Sequence, residues 1–75
     1  MTKITIKTEY ITLGQFLKYV GVIDSGSQAK AFLQDQIVLV NGEAEQRRGR
    51  KLYSGFVVIV DKKKFLIGKD DVLSQ

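Results

Sequence analysis

Arg47-Arg48-Gly49-Arg50-Lys51 places four cations in five residues, a short step after Ile37-Val38-Leu39-Val40-Asn41-Gly42-Glu43. That earlier stretch reads as a strand, a tight turn and a returning strand, because Asn-Gly accepts positive φ at both central turn positions. Three of the four cations are arginines, whose guanidinium groups stay charged and grip phosphate oxygens in a bidentate fork. A basic cluster held beside a rigid hairpin is suited to polyanion phosphates; the alternative is a solvated loop that aids solubility. Tyr53 borders the cluster and can stack on an unpaired base or pack the domain edge; Tyr10 and Tyr19 are weaker candidates for stacking.

Other chemistry is largely excluded. The 75 residues contain no cysteine and no histidine. Disulfides, thiolate nucleophiles and Cys/His zinc sites are therefore ruled out, together with the side chain that most often serves as a general base. Ser25 and Ser27 have no histidine or cysteine to activate them. Asp70-Asp71 is an acidic pair near the end of the chain and is not read as a metal site. No catalytic residue, metal or cofactor is expected. The net charge is +4. From Glu43 to Lys64 seven Lys and Arg stand against three Asp and Glu, which points to one basic face for a polyanion. Lys62-Lys63-Lys64 is either a second patch on that face or a guard against edge-to-edge strand pairing.

The elements that position the cluster follow from periodicity. Lys3 to Lys7 alternates polar and apolar as a half-buried strand. Thr12 and Gln15 have capping-box spacing. Leu13, Phe16, Leu17 and Val20 then form one helical face, closed at Gly21. Ser25 and Gln28 repeat the box before a second helix carrying Ala29, Phe32 and Leu33. Neither helix is long enough to stand alone in water, so both must pack on a sheet. Ile37–Val40 and Phe56–Val60 have the composition of buried strands. Phe65–Ile67 reads as an edge strand or short return, with pairing to the first strand left open, and residues 68–75 as a fraying tail. The order predicts one α+β domain over residues 1–75. No 18-residue apolar run is present to span a membrane, and Met1-Thr2-Lys3 leads into a strand pattern instead of a signal-peptide block. A cytoplasmic monomer is expected.

Leu13, Leu17, Gly21, Ser25, Ala29, Leu33, Val38, Val40, Asn41 and Gly42 resemble the pattern of the RNA-binding domain of ribosomal protein S-four, over roughly residues 11–60. The run Glu43 to Leu52 is similar to that of small stand-alone bacterial members, such as the YaaA-type and YbcJ-type proteins. The resemblance implies the alpha-L motif, two short helices packed on a small, mostly antiparallel, bent sheet. It also implies that RNA lies across the second helix and the adjoining hairpin loops. Two departures stand out. Larger relatives carry Arg or Lys directly after the Ser that opens helix two, where this chain has Gly26, and they close the module with Gly-Asp, where it has Gly55-Phe56. Gly26 removes one expected phosphate ligand, a role the Arg47–Lys51 cluster would partly assume.

The sequence thus points to a non-catalytic RNA-binding module on structured RNA, with ribosomal RNA or a ribosome-assembly particle as the class the resemblance favours, and ribosome-associated proteins as further partners. Its expected contacts are Arg47, Arg48, Arg50, Lys51, Lys30, Ser27 and Tyr53. They would be presented by a core of Leu13, Phe16, Leu17, Phe32 and Leu33. Reversing the charge of Arg47 and Arg48 together is expected to abolish binding without unfolding. The rival is a protein–protein interaction adaptor whose RNA face has degenerated at Gly26; a duplex-DNA binder ranks third.

Overall fold

The computed structural model describes residues 1–70. Its strands are β1 (Thr2–Ile6), β2 (Tyr10–Thr12), β3 (Leu39–Val40), β4 (Glu43–Ala44), β5 (Lys51–Tyr53), β6 (Val57–Val60) and β7 (Lys63–Lys69); the helices are α1 (Leu13–Tyr19) and α2 (Ala29–Asp35). Five strands form one sheet in the order β1-β7-β6-β3-β4, and β2 pairs with β5 in a separate ladder. Among the described strands only β1–β7 is a parallel pair. The fold is α+β, two short helices on a mixed, mostly antiparallel sheet.

Local sequence explains the helix ends. Thr12 Oγ1 accepts from the Gln15 N–H, and Gln15 Oε1 accepts from the Thr12 N–H, which closes the capping box. At the other end Gly21 lies at φ +86. Its N–H donates to the Lys18 carbonyl while Val22 donates to that of Leu17, a Schellman closure that positive φ makes possible. The second helix begins differently from expectation. Gly26–Gln28 is a 3-10 turn, and α2 proper starts at Ala29. Gln28 Oε1 nonetheless accepts from the N–H groups of Asp24 and Ser25, while the Ser25 and Ser27 hydroxyls share a hydrogen bond.

Leu13, Phe16 and Leu17 from α1 and Ala29 and Leu33 from α2 are buried against Val38, Val40, Val58, Val60 and Ile67 of the sheet side. Phe16 meets Phe65 edge to face, with ring centroids 5.3 Å apart. Each such side chain contributes about 1.5–3 kcal/mol by leaving water, and that burial holds two seven-residue helices that would not persist alone.

Several expectations need correction. Ile37 is 78% exposed and precedes β3 instead of lying in a buried strand. Phe32 and Phe56 are only partly buried. Phe65–Ile67 belongs to a seven-residue strand that pairs with β1 on one side and β6 on the other; its apolar residues are continuous because that region is flanked on both edges. Gly68 and Lys69 complete that strand instead of fraying, while residues 71–75 of the expected tail, Asp71 included, lie outside the described residues. The turn before β7 is Asp61-Lys62, both at positive φ, so Lys63 and Lys64 are strand residues. Guarding a sheet edge does not describe the strand as a whole, since β1 and β4 are the terminal strands of the sheet.

Candidate nucleic-acid interface

The hairpin is built as its sequence indicates. Asn41 and Gly42 lie at φ 52 and 86. Asn41 adds a tie that turn propensity alone does not require: its Oδ1 accepts from the Val57 N–H, and its own N–H donates to the Val57 carbonyl. The turn is thereby fixed to β6, and Asn41 has a structural task. Chain beyond the hairpin stays in contact with the sheet through the Glu45 N–H, which donates to the Val38 carbonyl at 2.9 Å.

From there the basic loop runs alongside α2. Near the C-terminal end of that helix, Glu45, Gln46 and Arg47 line a groove with Leu33, Gln34 and Gln36. Near its N-terminal end, Arg48 approaches Gly14 and Ala29. A β-carbon on Gly14 would stand 3.6 Å from both the Arg48 and the Ala29 Cβ atoms and 3.4 Å from the Arg48 carbonyl oxygen. The absence of a side chain at Gly14 lets the loop, α1 and α2 converge. Two backbone bonds pin the loop there: the Leu13 N–H donates to the Arg50 carbonyl at 2.8 Å, and Gly14 to that of Arg48 at 2.9 Å. Orphan donors at the start of a helix need such partners. Here they anchor the cation-bearing chain. Arg47–Arg50 is itself a turn closed by the Arg50 N–H on the Arg47 carbonyl.

Glu45 is the residue that sequence reasoning missed. Its side chain is 8% exposed and holds two arginines at once. Arg47 Nε donates to Oε2 at 2.9 Å and Nη2 to Oε1 at 3.1 Å, while Arg50 Nη1 donates to Oε1 at 2.7 Å. The Arg47 N–H adds a fourth bond. These donors, the Arg47 side chain foremost, outweigh burial and lower the Glu45 carboxyl from an ordinary 4.5 to about 2. The reciprocal bond raises Arg47. A signal was present in the chain: one acid two residues before Arg47 and five before Arg50.

The four cations are thus unequal. Arg47 is 75% exposed and Arg50 about 29%, both committed in part to Glu45. Arg48 is exposed and has no ion pair among the described residues. Lys51 is exposed too, with Nζ 4.9 Å from the centre of the Tyr10 ring. Reversing Arg47 would set two carboxylates against each other in the fold, so a paired reversal of Arg47 and Arg48 tests stability together with binding.

Of the remaining candidates, Lys30 follows Ala29 on α2 and is exposed, on the helix beside the loop. Ser27 is exposed in the preceding 3-10 turn, its hydroxyl bonded to Ser25. Gly26 has open space around it. Tyr53 pairs with Tyr10 across the β2–β5 ladder, two strands that periodicity did not reveal. Lys63 is elsewhere. It lines a groove with Val20 and Gly21 at the C-terminal end of α1, away from the N-terminal residues to which the loop is tied. Tyr19 is the last residue of α1 and does not join the other two tyrosines.

Among the described residues no group of three or more His, Cys, Asp or Glu is placed to hold a metal, and no helix is long and apolar enough to cross a membrane. The surface offers cations and aromatic rings on a pinned backbone. The chain is 60% identical over 58 residues to the probable ribosome maturation protein RlbA of Bacillus subtilis (strain 168), an alignment covering 77% of this chain and 82% of that protein. The S4 domain family matches residues 4–68, which take in the hairpin, the pinned loop, both helices and the sheet from β1 to β7, and the chain belongs to that family.

Proposed function

We propose that this protein is a non-catalytic RNA-binding module that acts in ribosome maturation, docking on structured ribosomal RNA or an assembly particle. The observation that carries the reading is the pinned basic loop. Backbone bonds from Leu13 and Gly14 and the Glu45 clamp hold the chain bearing Arg47, Arg48, Arg50 and Lys51 alongside α2, so little ordering cost remains to be met on binding. Arg48 and Lys51 supply the unshared charge. Arg47 and Arg50 add the guanidinium N–H groups that Glu45 leaves unused, and Lys30, Ser27 and Tyr53 extend the surface. The resemblance to a ribosome maturation protein supports ribosomal RNA as the class of target. The protein works as a monomer in the cytoplasm, and ribosome-associated proteins are secondary partners.

Affinity for purified bacterial ribosomal RNA tests this, measured between 50 and 200 mM salt. Four cations less the Glu45 carboxylate leave a net three charges. Counterion release then gives a slope of log K on log salt of about −2 to −3, a loss of roughly fifteen- to sixtyfold across that range. A slope near zero would contradict phosphate contact by the loop.

A further inference from the structure

The β2–β5 ladder has an outer face whose aromatic rings phosphate binding leaves unused. Its register sets Tyr10 opposite Tyr53, Ile11 opposite Leu52 and Thr12 opposite Lys51. Because side chains alternate along a strand, Leu52 goes inward, where it is fully buried. Tyr10, Tyr53 and Lys51 share the other face and are exposed. The two tyrosine rings stand 5.6 Å apart at 51°, at 37% and 39% exposure. Tyr53 packs edge-on against Phe56 at 5.7 Å, and the Arg50 guanidinium lies 5.8 Å from the Phe56 ring. An unbroken line of contacts therefore joins Glu45, Arg50, Phe56, Tyr53, Tyr10 and Lys51. Packing holds the rings, and the line runs from the Glu45–Arg50 ion pair at one end to the Lys51 ammonium at the other.

We infer that the Tyr10–Tyr53 face is a stacking subsite for one unpaired nucleotide, with Lys51 beside it for that nucleotide's phosphate. Every base offers a π-face to such rings whatever its identity. A base within a continuous stack does not, so the protein prefers RNA whose helix is interrupted by a bulge, loop or junction. The unshared charge of Lys51 beside the rings selects a nucleotide over an apolar protein side chain. This rests on the RNA-binding reading above and makes it more specific: the loop holds backbone, the ladder takes a base.

Two RNA hairpins with the same stem, one fully paired and one carrying a single bulged uridine, provide the test. The wild-type chain is expected to bind the bulged stem about tenfold more tightly, the scale of one stacked base. Tyr10→Leu with Tyr53→Leu should bring the ratio of bulged-stem to paired-stem affinity to about one, and Tyr10→Phe with Tyr53→Phe should keep the wild-type ratio. Equal wild-type affinity for the two stems, or a preference surviving in the leucine variant, would overturn the subsite while the loop's role stands. Binding of neither stem at low salt would overturn the RNA-binding reading and the subsite together. Photo-crosslinking needs no variant: 5-iodouridine at the bulge should attach to a peptide containing Tyr10 or Tyr53, and attachment only elsewhere would refute the assignment.

Discussion

Arg48→Glu combined with Lys51→Glu is expected to weaken binding to ribosomal RNA at least about a hundredfold, with the fold intact. Each residue is exposed, and neither takes part in an ion pair among the described residues, so each is available to a phosphate. Losing one charge-assisted hydrogen bond costs about 1.5–3 kcal/mol, and every 1.4 kcal/mol is a factor of about ten in affinity; two lost contacts plus two new repulsions pass a hundredfold. The structural cost is small. Arg48 contributes to the fold through its carbonyl, which any residue supplies. Lys51 gives up an exposed contact with the Tyr10 ring, worth about 0.5–1 kcal/mol. Affinity measured by fluorescence anisotropy, with circular dichroism as the folding control, reads both effects. A folded double variant that binds as the wild type does would exclude these two cations from the interface.

Glu45→Gln is expected to lower stability by about 2 kcal/mol. A buried carboxylate with four donors turned toward it is replaced by an amide that can accept for only part of them. Hydrogen bonds to charged groups are worth more than neutral ones. Breaking a fully buried pair costs about 3–5 kcal/mol; the figure here is smaller because Arg47, largely exposed, can turn to water. For a domain of this size about 2 kcal/mol corresponds to a fall of roughly 10 °C in Tm. The pH dependence identifies the cause. Glu45 is depressed from 4.5 to about 2 in the folded chain, so its contribution is fully present above pH 4.5 and drains away as the pH falls toward 2. The wild type should lose its advantage over Glu45→Gln across that window, and denaturation curves collected at several pH values show whether the two converge. A constant gap down to pH 2 would assign the stabilisation to packing instead of charge.

Much of this arrangement was legible in the chain. Thr12, Gln15 and Gly21 carry their capping information within three or four residues, so the ends of α1 follow from local rules. Asn41-Gly42 announces its turn for the same reason. What local pattern could not supply was non-local pairing. Strands β2 and β5 are three residues each and are joined across about forty positions of sequence — too short for alternation to register. Whether Phe65–Ile67 pairs with the first strand or forms a separate edge stayed open in the chain, because nothing nearby indicates that β1, from the other end, will join it in parallel.

The candidate site divides in the same way. Charge density identified the loop, since four cations in five residues need no partner to be noticed. Division of labour among them did not follow from charge, because it depends on one carboxylate folding inward. Glu45 sits in a basic run where a solvated ion pair would be the ordinary reading, yet its burial makes Arg47 and Arg50 part of the scaffold and leaves Arg48 and Lys51 as the unshared charges. Tyr53 was singled out for its neighbours in sequence. Its pairing with Tyr10 depended on the ladder that periodicity missed.

Crosslinking in living bacteria, followed by sequencing of the bound RNA, tests the central claim most directly when wild type and Arg48→Glu/Lys51→Glu are compared at equal expression. The account predicts reads concentrated on ribosomal RNA at one structured site with an unpaired nucleotide, and their loss in the variant. Scattered reads that the variant leaves unchanged, with the protein still held to its cellular partner after ribonuclease treatment, would contradict the account and favour a protein adaptor.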